Sequence, residues 1–385
     1  MVGRTLKLNT SNSLFLFGAR GTGKSSLIRE QYSARDDVLW IDLLSEEHED
    51  AFRRKPSRLT DLLLTGRYRV AVIDEVQKSP KLLDIVHMEI EKKTNVQFIL
   101  SGSSARKLKR GGANLLAGRA FTFHLFPLTH RELGPLFDLQ HALEFGTLPK
   151  LLEFKDPLDT TRFLKAYVRT YLKEEVVLEQ LVRKIEPFQD FLEISAVMNG
   201  HIINFARIAK DVGVDEKTVK TYYDILSDTL IGFYLPPFHR SIRKRQRESP
   251  KFYLFDTGVR RSLANTLSLP LQPQTYEYGL AFEHLVILEV MRLNSYAEAD
   301  FKLSYLRTKD DAEIDLVIER PGAPDVLVEI KSYQLVDGSD AKRLSTLKAA
   351  WDRPAEAMIW SRDPAERIVE GVTCVPWQTG LGRLF

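Results

Sequence analysis

The stretch Gly18-Ala19-Arg20-Gly21-Thr22-Gly23-Lys24-Ser25 fits G-x-x-x-x-G-K-[ST] in full. These residue types at this spacing bind nucleotide phosphates. The glycines let backbone amides close on phosphate oxygens, and a helix starting there adds the positive end of its dipole. Lys24 then reaches the β- and γ-phosphates, Ser25 holds Mg2+, and Ser26 carries the loop into the helix. ATP and Mg2+ are the expected cofactors. The other half of such a site is an acidic pair ending a second strand, and Val70-Ala71-Val72-Ile73-Asp74-Glu75 supplies it. Asp74 would orient Mg2+ through water, and Glu75 would polarise the attacking water. Ser101 ends the next apolar strand. It is a candidate γ-phosphate sensor, although a serine there serves equally as a helix cap. Arg119 is a candidate for neutralising charge on the transferred phosphoryl group, in cis or from a neighbouring subunit. A structural ion pair is the competing role.

A second constellation lies near the C-terminus. Glu313 to Glu319 alternates like a half-buried strand, and Asp325 to Lys331 does so after a turn with Pro321-Gly322 and Pro324. Glu329 and Lys331 are two apart and face one side. Paired as a hairpin, the strands put Asp315 beside Glu329. Glu283, on the preceding helix, adds a third carboxylate. Such a D…E-x-K set holds Mg2+ through oxygen ligands and uses the lysine to position a nucleophile, which is nuclease chemistry. A surface salt-bridge ladder has the same pattern.

Two basic clusters suggest DNA contacts. Arg106, Lys107, Lys109 and Arg110 precede Gly111-Gly112. Arg240, Arg243, Lys244, Arg245 and Arg247 lie between Pro236-Pro237 and Pro250. The second follows a helix-turn-helix pattern over Phe205 to Ser227, with Gly213 at the turn and Lys220 on the second helix. A basic hairpin in that place reads as the wing of a winged helix. Phosphate contacts from both clusters would be salt-dependent and largely sequence-independent.

The elements that must position these residues follow from periodicity. Apolar runs at 14–17, 38–42, 70–74 and 97–101 read as buried strands, with helices between them. Alternation of this kind predicts a parallel sheet covered on both faces. A mostly helical region follows, then a mixed one with strands at 252–255, 302–307, 313–319 and 325–332 and a helix over 278–293. The expected fold class is therefore α/β: a P-loop NTPase core over 1–127, a helical and winged-helix-like region over 128–250, and a mixed α/β domain over 251–385. Phe121, Phe123 and Phe126 read as core.

Composition bounds the function classes. The chain has 385 residues, 44% hydrophobic and 28% charged, with net charge +3. That balance is globular, and too weakly basic to argue for nucleic acid by itself. No apolar run reaches the roughly 18 residues of a membrane span. One cysteine, Cys374, excludes an internal disulfide framework. A cytoplasmic protein without a membrane partner is expected.

The segments GARGTGKS, VAVIDEVQ, FILSGSSARKL and GRAFTFHLFPLTHREL together resemble the AAA-type ATPases that carry a C-terminal domain of unknown function 4143. FGTLPKLLE, IAKDVGVDEKTVKTYYDIL, FYLFDTGV and AEIDLVIE…VLVEIKSYQ resemble the second half of that family. The resemblance spans nearly the whole chain, with its motifs in order. It implies an ATP-dependent machine and a C-terminal module similar to restriction-endonuclease-like folds. Its site roles carry over to Gly18, Gly23, Lys24, Ser25, Asp74, Glu75, Ser101 and Arg119. The expected function is an ATP-hydrolysing protein acting on DNA, self-associating as a ring, with a Mg2+-dependent nuclease-like site. The alternative is a nucleotide-dependent switch, scaffold or protein-remodelling ATPase with an inert C-terminal site.

Overall fold

Each of the four expected strands of the first region forms, and a fifth joins them. In the computed structural model, which describes residues 2–8, 11–104, 108, 116, 118–172, 185–239 and 248–385, the chain folds as two units. The first comprises Met1–Leu128, Leu148–Lys150 and Ile225–Ile231; the second holds the remainder.

The first unit is built on β1 (Ser13–Phe17), β2 (Val38–Asp42), β3 (Val70–Asp74), β4 (Gln97–Gly102) and β5 (Ala120–His124), in the order β2-β3-β4-β1-β5. All neighbouring strands run parallel. Their apolar side chains fill both faces. Phe15, Ala71, Ile73, Phe98 and Leu100 pack with Leu82, Leu83 and Val86 of the helix Leu82–Glu91. Cutting one of the large aliphatic residues back to alanine there costs about 2–5 kcal/mol. The sheet's role is to bring the C-terminal ends of β1, β3 and β4 side by side. The expectation that Phe121 is core is corrected: it stands on the edge strand β5 and is 42% exposed.

The second unit contains a six-stranded mixed sheet. Its strands are β8 (Lys302–Arg307), β9 (Glu313–Glu319), β10 (Asp325–Ile330), β11 (Ala355–Ser361), β12 (Arg367–Val369) and β13 (Val372–Pro376), ordered β12-β13-β11-β10-β9-β8. Alternation along β10 explains its two layers. Val326 and Val328 pack with Phe282, Leu285 and Val286 of the helix Tyr276–Tyr296. Leu327, between them, packs with Ala341 and Leu344 of the helix Gly338–Ala349. Cys374 is buried in that second layer, as a small apolar residue.

The same unit carries the helix Phe205–Val212, the turn at Gly213 (φ 73°) and the start of the helix Glu216–Asp228. Asn204 caps the first helix through the Arg207 amide, and Asp215 accepts from the Thr218 amide at 2.8 Å. A two-stranded antiparallel hairpin, β6 (Gly232–Leu235) and β7 (Lys251–Leu254), follows. It rests on the helices through Tyr223 and Phe252, whose ring centroids are 4.8 Å apart. Among the described residues, no helix is long and apolar enough to cross a membrane.

Candidate functional site

In the first unit the phosphate loop connects β1 to the helix Lys24–Tyr32. Gly23 is the residue before the helix and has φ 95°, a left-handed conformation that an L side chain would strain. Thr22 is buried and donates its hydroxyl to the Ala19 carbonyl at 2.8 Å, bracing the loop. Arg20, Gly21 and Ser26 are exposed on it. Lys24 is buried, and its ammonium donates to the loop's own carbonyls, Gly18 at 2.7 Å and Ala19 at 3.4 Å. Those neutral carbonyls are what a phosphate oxygen would replace, since a phosphate brings the opposite charge to the ammonium as well as an acceptor.

Ser25 and Asp74 meet as their spacing requires: the Ser25 hydroxyl donates to Asp74 Oδ2 at 2.6 Å. Ser101 donates to the other Asp74 oxygen, Oδ1. The structure therefore places Ser101 on Asp74 itself. Among the described residues, neither Asp74 nor Glu75 forms an ion pair. Mg2+ bound with a nucleotide takes one or two protein oxygens and completes its shell from phosphate and water. Ser25 and Asp74 are oxygen donors of that kind, so the residues fit the ion.

Glu75 follows the strand at φ 58°, an uncommon conformation for a non-glycine residue. Its carboxylate accepts from Gln77 Nε2, which also lies 3.2 Å from the Ser103 hydroxyl. Gln77 is 6% exposed, and its Oε1 is buried without a hydrogen-bond partner among the described residues. A Cβ at position 102 would collide with that oxygen, so Gly102 makes the room for Gln77. Sequence reasoning missed Gln77, Ser103 and Gly102, although Gln77 stands only two residues past Glu75. It also missed Pro149, whose ring is the nearest neighbour of a Cβ built on Gly23, at 3.8 Å. A cavity of ≈ 330 Å³ opens beside Ser25 and Asp74, lined also by Arg29, Trp40, Asp42 and His48.

Arg119 does not join this group. Ala120, its neighbour, pairs with Ser13, so Arg119 lies at the end of the sheet away from the loop. It forms an ion pair with Glu91. The expectation that it could act in cis is corrected, because the parallel register separates it from the phosphates by the length of β1.

In the second unit β9 and β10 pair antiparallel, with Leu316 opposite Val328, which carries Asp315 next to Glu329. Asp315 Oδ2 accepts from the Ile330 amide at 2.7 Å. Glu329 is buried and accepts from Lys331 at 2.8 Å and from Arg343. Lys331 also stands 3.8 Å from Asp340. Glu283 accepts from the Tyr253 hydroxyl at 2.6 Å and lies 3.6 Å from Lys251 Nζ. Lys251 is 2.5 Å from Glu313. Burial pushes Asp315 well above the usual carboxylate range, and the charges of Glu329 and Glu283 push it further. Burial pulls the Lys251 ammonium down, but Glu283, Asp315 and Glu313 outweigh it and hold its pKa high. Lys331 is likewise held up by Glu329 and Asp315 against the effect of burial.

The four expected residues are thus brought together, but not as a metal centre. Among the described residues, no group of three or more His, Cys, Asp and Glu side chains is placed to hold a metal ion. Glu283 and Glu329 already face fixed cations, and burial beside Glu329 and Glu283 holds the Asp315 carboxyl above its usual range. The expectation of Mg2+ at Glu283, Asp315 and Glu329 does not fit this arrangement.

On the helix-turn-helix, Lys220 is exposed, with Nζ 5.2 Å from the Phe205 ring centroid. Val219 is buried, and Thr218 is tied to Asp215. Exposed residues of the second helix carry both signs, Glu216, Lys217, Lys220 and Asp224. Arg106, Lys107, Lys109, Arg110, Arg240, Arg243, Lys244, Arg245 and Arg247 lie outside the described residues.

Comparison with known proteins finds three family models matching along the chain. A model described as "AAA domain" matches residues 10–134. Models described as "Domain of unknown function (DUF8612)" and "Domain of unknown function (DUF4143)" match 136–270 and 278–379. An uncharacterized protein of Mycobacterium tuberculosis is 28% identical over 323 residues, covering 82% of this chain and 70% of its own. An uncharacterized protein of Haemophilus influenzae is 21% identical over 330 residues, covering 79% and 78%. A solved chain, the replication initiator DnaA bound to AMPPCP and single-stranded DNA, matches with TM-score 0.28 and 15% identity over 56% of this chain and 82% of that one. That likeness is too low to carry an argument.

The first unit's sheet, loop and acidic pair define a P-loop NTPase of the AAA type. The chain has an N-terminal AAA ATPase domain and a C-terminal DUF4143 domain, and it is an ATP-binding, ATP-hydrolysing enzyme.

Proposed function

We propose that ATP hydrolysis by this chain acts on DNA. One observation supports the reading above others: a helix-turn-helix followed directly by an antiparallel hairpin. The segment joining the hairpin strands contains Arg240, Arg243, Lys244, Arg245 and Arg247. That order of elements suits a winged helix, with Lys220 on its second helix and the basic residues of the sequence between the two strands supplying phosphate contacts. In this reading 1–127 hydrolyses ATP, 128–250 engages DNA, and 251–385 is a restriction-endonuclease-like module.

At the nucleotide, backbone amides of 18–26 and the helix N-terminus receive the phosphates. Lys24 leaves the Gly18 and Ala19 carbonyls for the γ-phosphate. Ser25 and Asp74 would hold Mg2+, which would supply positive charge to the phosphate oxygens. Ser101 fixes the orientation of Asp74. Glu75, held by Gln77, accepts the proton of the attacking water. Arg119, remote from its own loop, serves a neighbouring subunit in a ring-shaped homo-oligomer. Arg119→Ala then abolishes turnover and spares nucleotide binding.

The test is ATP hydrolysis with single-stranded, duplex and branched DNA, with the DNA from the same tubes run on a gel. Stimulation by one DNA form is expected, with an affinity that falls as salt rises. No stimulation overturns the DNA reading. A second reading has ATP ordering a surface for a protein partner while the C-terminal site stays inert. It draws support from the fixed cations at Glu329 and Glu283, and it predicts slow turnover, intact DNA and no effect of Lys331→Ala.

A further inference from the structure

Lys251 is the least expected member of the carboxylate group in the second unit. It opens β7, a strand of the hairpin and not of the six-stranded sheet that supplies Glu313, Asp315 and Glu329. Its side chain is 6% exposed. A lysine ammonium buried to that degree must be paired to stay charged. Here it is enclosed on several sides. Glu313 Oε1 is 2.5 Å from Nζ, and Glu283 Oε1 is 3.6 Å away. The Tyr305 ring centroid lies 5.4 Å from Nζ, within the range of a cation–π contact. Tyr305 is itself anchored by donating its hydroxyl to the Ser249 carbonyl at 2.7 Å. Tyr253, from the same strand as Lys251, fixes Glu283 through its hydroxyl.

The carboxylates come from three elements: Glu283 from the long helix, Glu313 and Asp315 from β9, and Glu329 from β10. Lys331 and Arg343 take the Glu329 side. Glu283 and Glu313 are left to Lys251. Oxygens converging from separate elements on one positive centre are the arrangement by which proteins bind a hard divalent cation. In this chain the positive centre is a side chain.

We propose that the ammonium of Lys251 stands in the place of a divalent cation between Glu283 and Glu313, so that this cluster is a metal-free ion network closed by the chain itself. Removing the ammonium would leave the Glu283 and Glu313 carboxylates without their cation and open that place to a divalent one. Entry is open to an ion, since the side chains of Glu313 and Glu283 are 33% and 18% exposed. The proposal does not depend on the DNA reading or on nucleotide hydrolysis.

The test is a Mn2+ titration of the nucleotide-free full chain, read by electron paramagnetic resonance. Wild type, Lys251→Met, Lys251→Met/Glu313→Gln and Asp315→Asn are compared. Lys251→Met is expected to bind one more Mn2+ per chain than wild type, and the double variant to lose it. Wild type and Asp315→Asn are expected to bind alike. A Mn2+ lost from wild type by Asp315→Asn would show that the cluster is already a metal site and overturn the proposal. So would a folded Lys251→Met that binds no more than wild type. If Lys251→Met folds poorly, refolding from urea is followed by circular dichroism. Recovery with Mn2+ but not without it supports the substitution of one cation for another; failure in both refutes it.

Discussion

Asp74 is held by two hydroxyls, Ser25 and Ser101, whereas Glu329 is held by two cations, Lys331 and Arg343. Both carboxylates end or nearly end a buried strand, and both sit among residues that the sequence pattern marks as metal-binding. The difference lies in what their partners leave behind. A hydroxyl fixes the orientation of a carboxylate and leaves its charge in place for an incoming cation. An ammonium or guanidinium cancels that charge within the fold. The charge of Asp74 is thus left open, and that of Glu329 is already paired. Acidic residues at metal-ligand spacing do not distinguish these cases; the charge of their hydrogen-bond donors does.

The largest predicted effects are at the first centre. Lys24→Ala removes the group proposed to leave two carbonyls for the γ-phosphate, and ATP binding should be lost; retained affinity by isothermal titration calorimetry would break the assignment. Glu75 is proposed to accept the proton of the attacking water, and Glu75→Gln keeps the shape without that capacity. Turnover should fall by about 10²- to 10⁴-fold with ATP binding kept. The same change at Glu329 should leave ATP turnover untouched. A matching loss there would erase the contrast.

A smaller effect sharpens the comparison at Glu75. Gly102→Ala puts a methyl group against Gln77 Oε1 and displaces the amide that holds Glu75. Since a misplacement of about 1 Å can cost around a hundredfold, kcat should fall by up to about that factor while KM for ATP stays near wild type. If kcat is unchanged, Gln77 does not position Glu75.

Much of the first centre was legible in the sequence because its parts are local. The phosphate loop is contiguous, and β3 runs over Val70–Asp74 as its apolar run indicates. Its supporting residues were less so, because Gln77 and Ser103 matter through contacts that no periodicity reveals. The C-terminal strands β8 and β9 also follow their alternation. The strands β11 and β13, and the short β6, were not anticipated. The second centre misled for a physical reason. Its four expected residues converge as the hairpin requires, but Lys251 and Arg343 arrive from elements distant in sequence and change the chemistry of the group. Arg119 shows the same limit, since only the parallel register of β1 and β5 reveals which end of the sheet it occupies.

The smallest predicted effect tests the neutrality of the second centre directly. Burial, with Glu329 and Glu283 beside it, raises the folded-state pKa of Asp315 above its unfolded value of 3.8. A raised folded-state pKa means that the native protein holds the proton more tightly than the unfolded chain. The stability this contributes is complete below about pH 3.8 and is lost as the pH rises through the folded-state value. Asn at this position imitates the protonated form at every pH and keeps an oxygen to accept the Ile330 amide. Asp315→Asn should therefore raise the melting temperature of the second unit by roughly 2–4 °C at pH 7, and the gain should shrink toward zero near pH 4. A variant less stable than wild type at pH 7 would mean that the ionised carboxylate is wanted there. In that case Asp315 would resemble Asp74, a charge awaiting a cation, and the distinction between the two centres would fail.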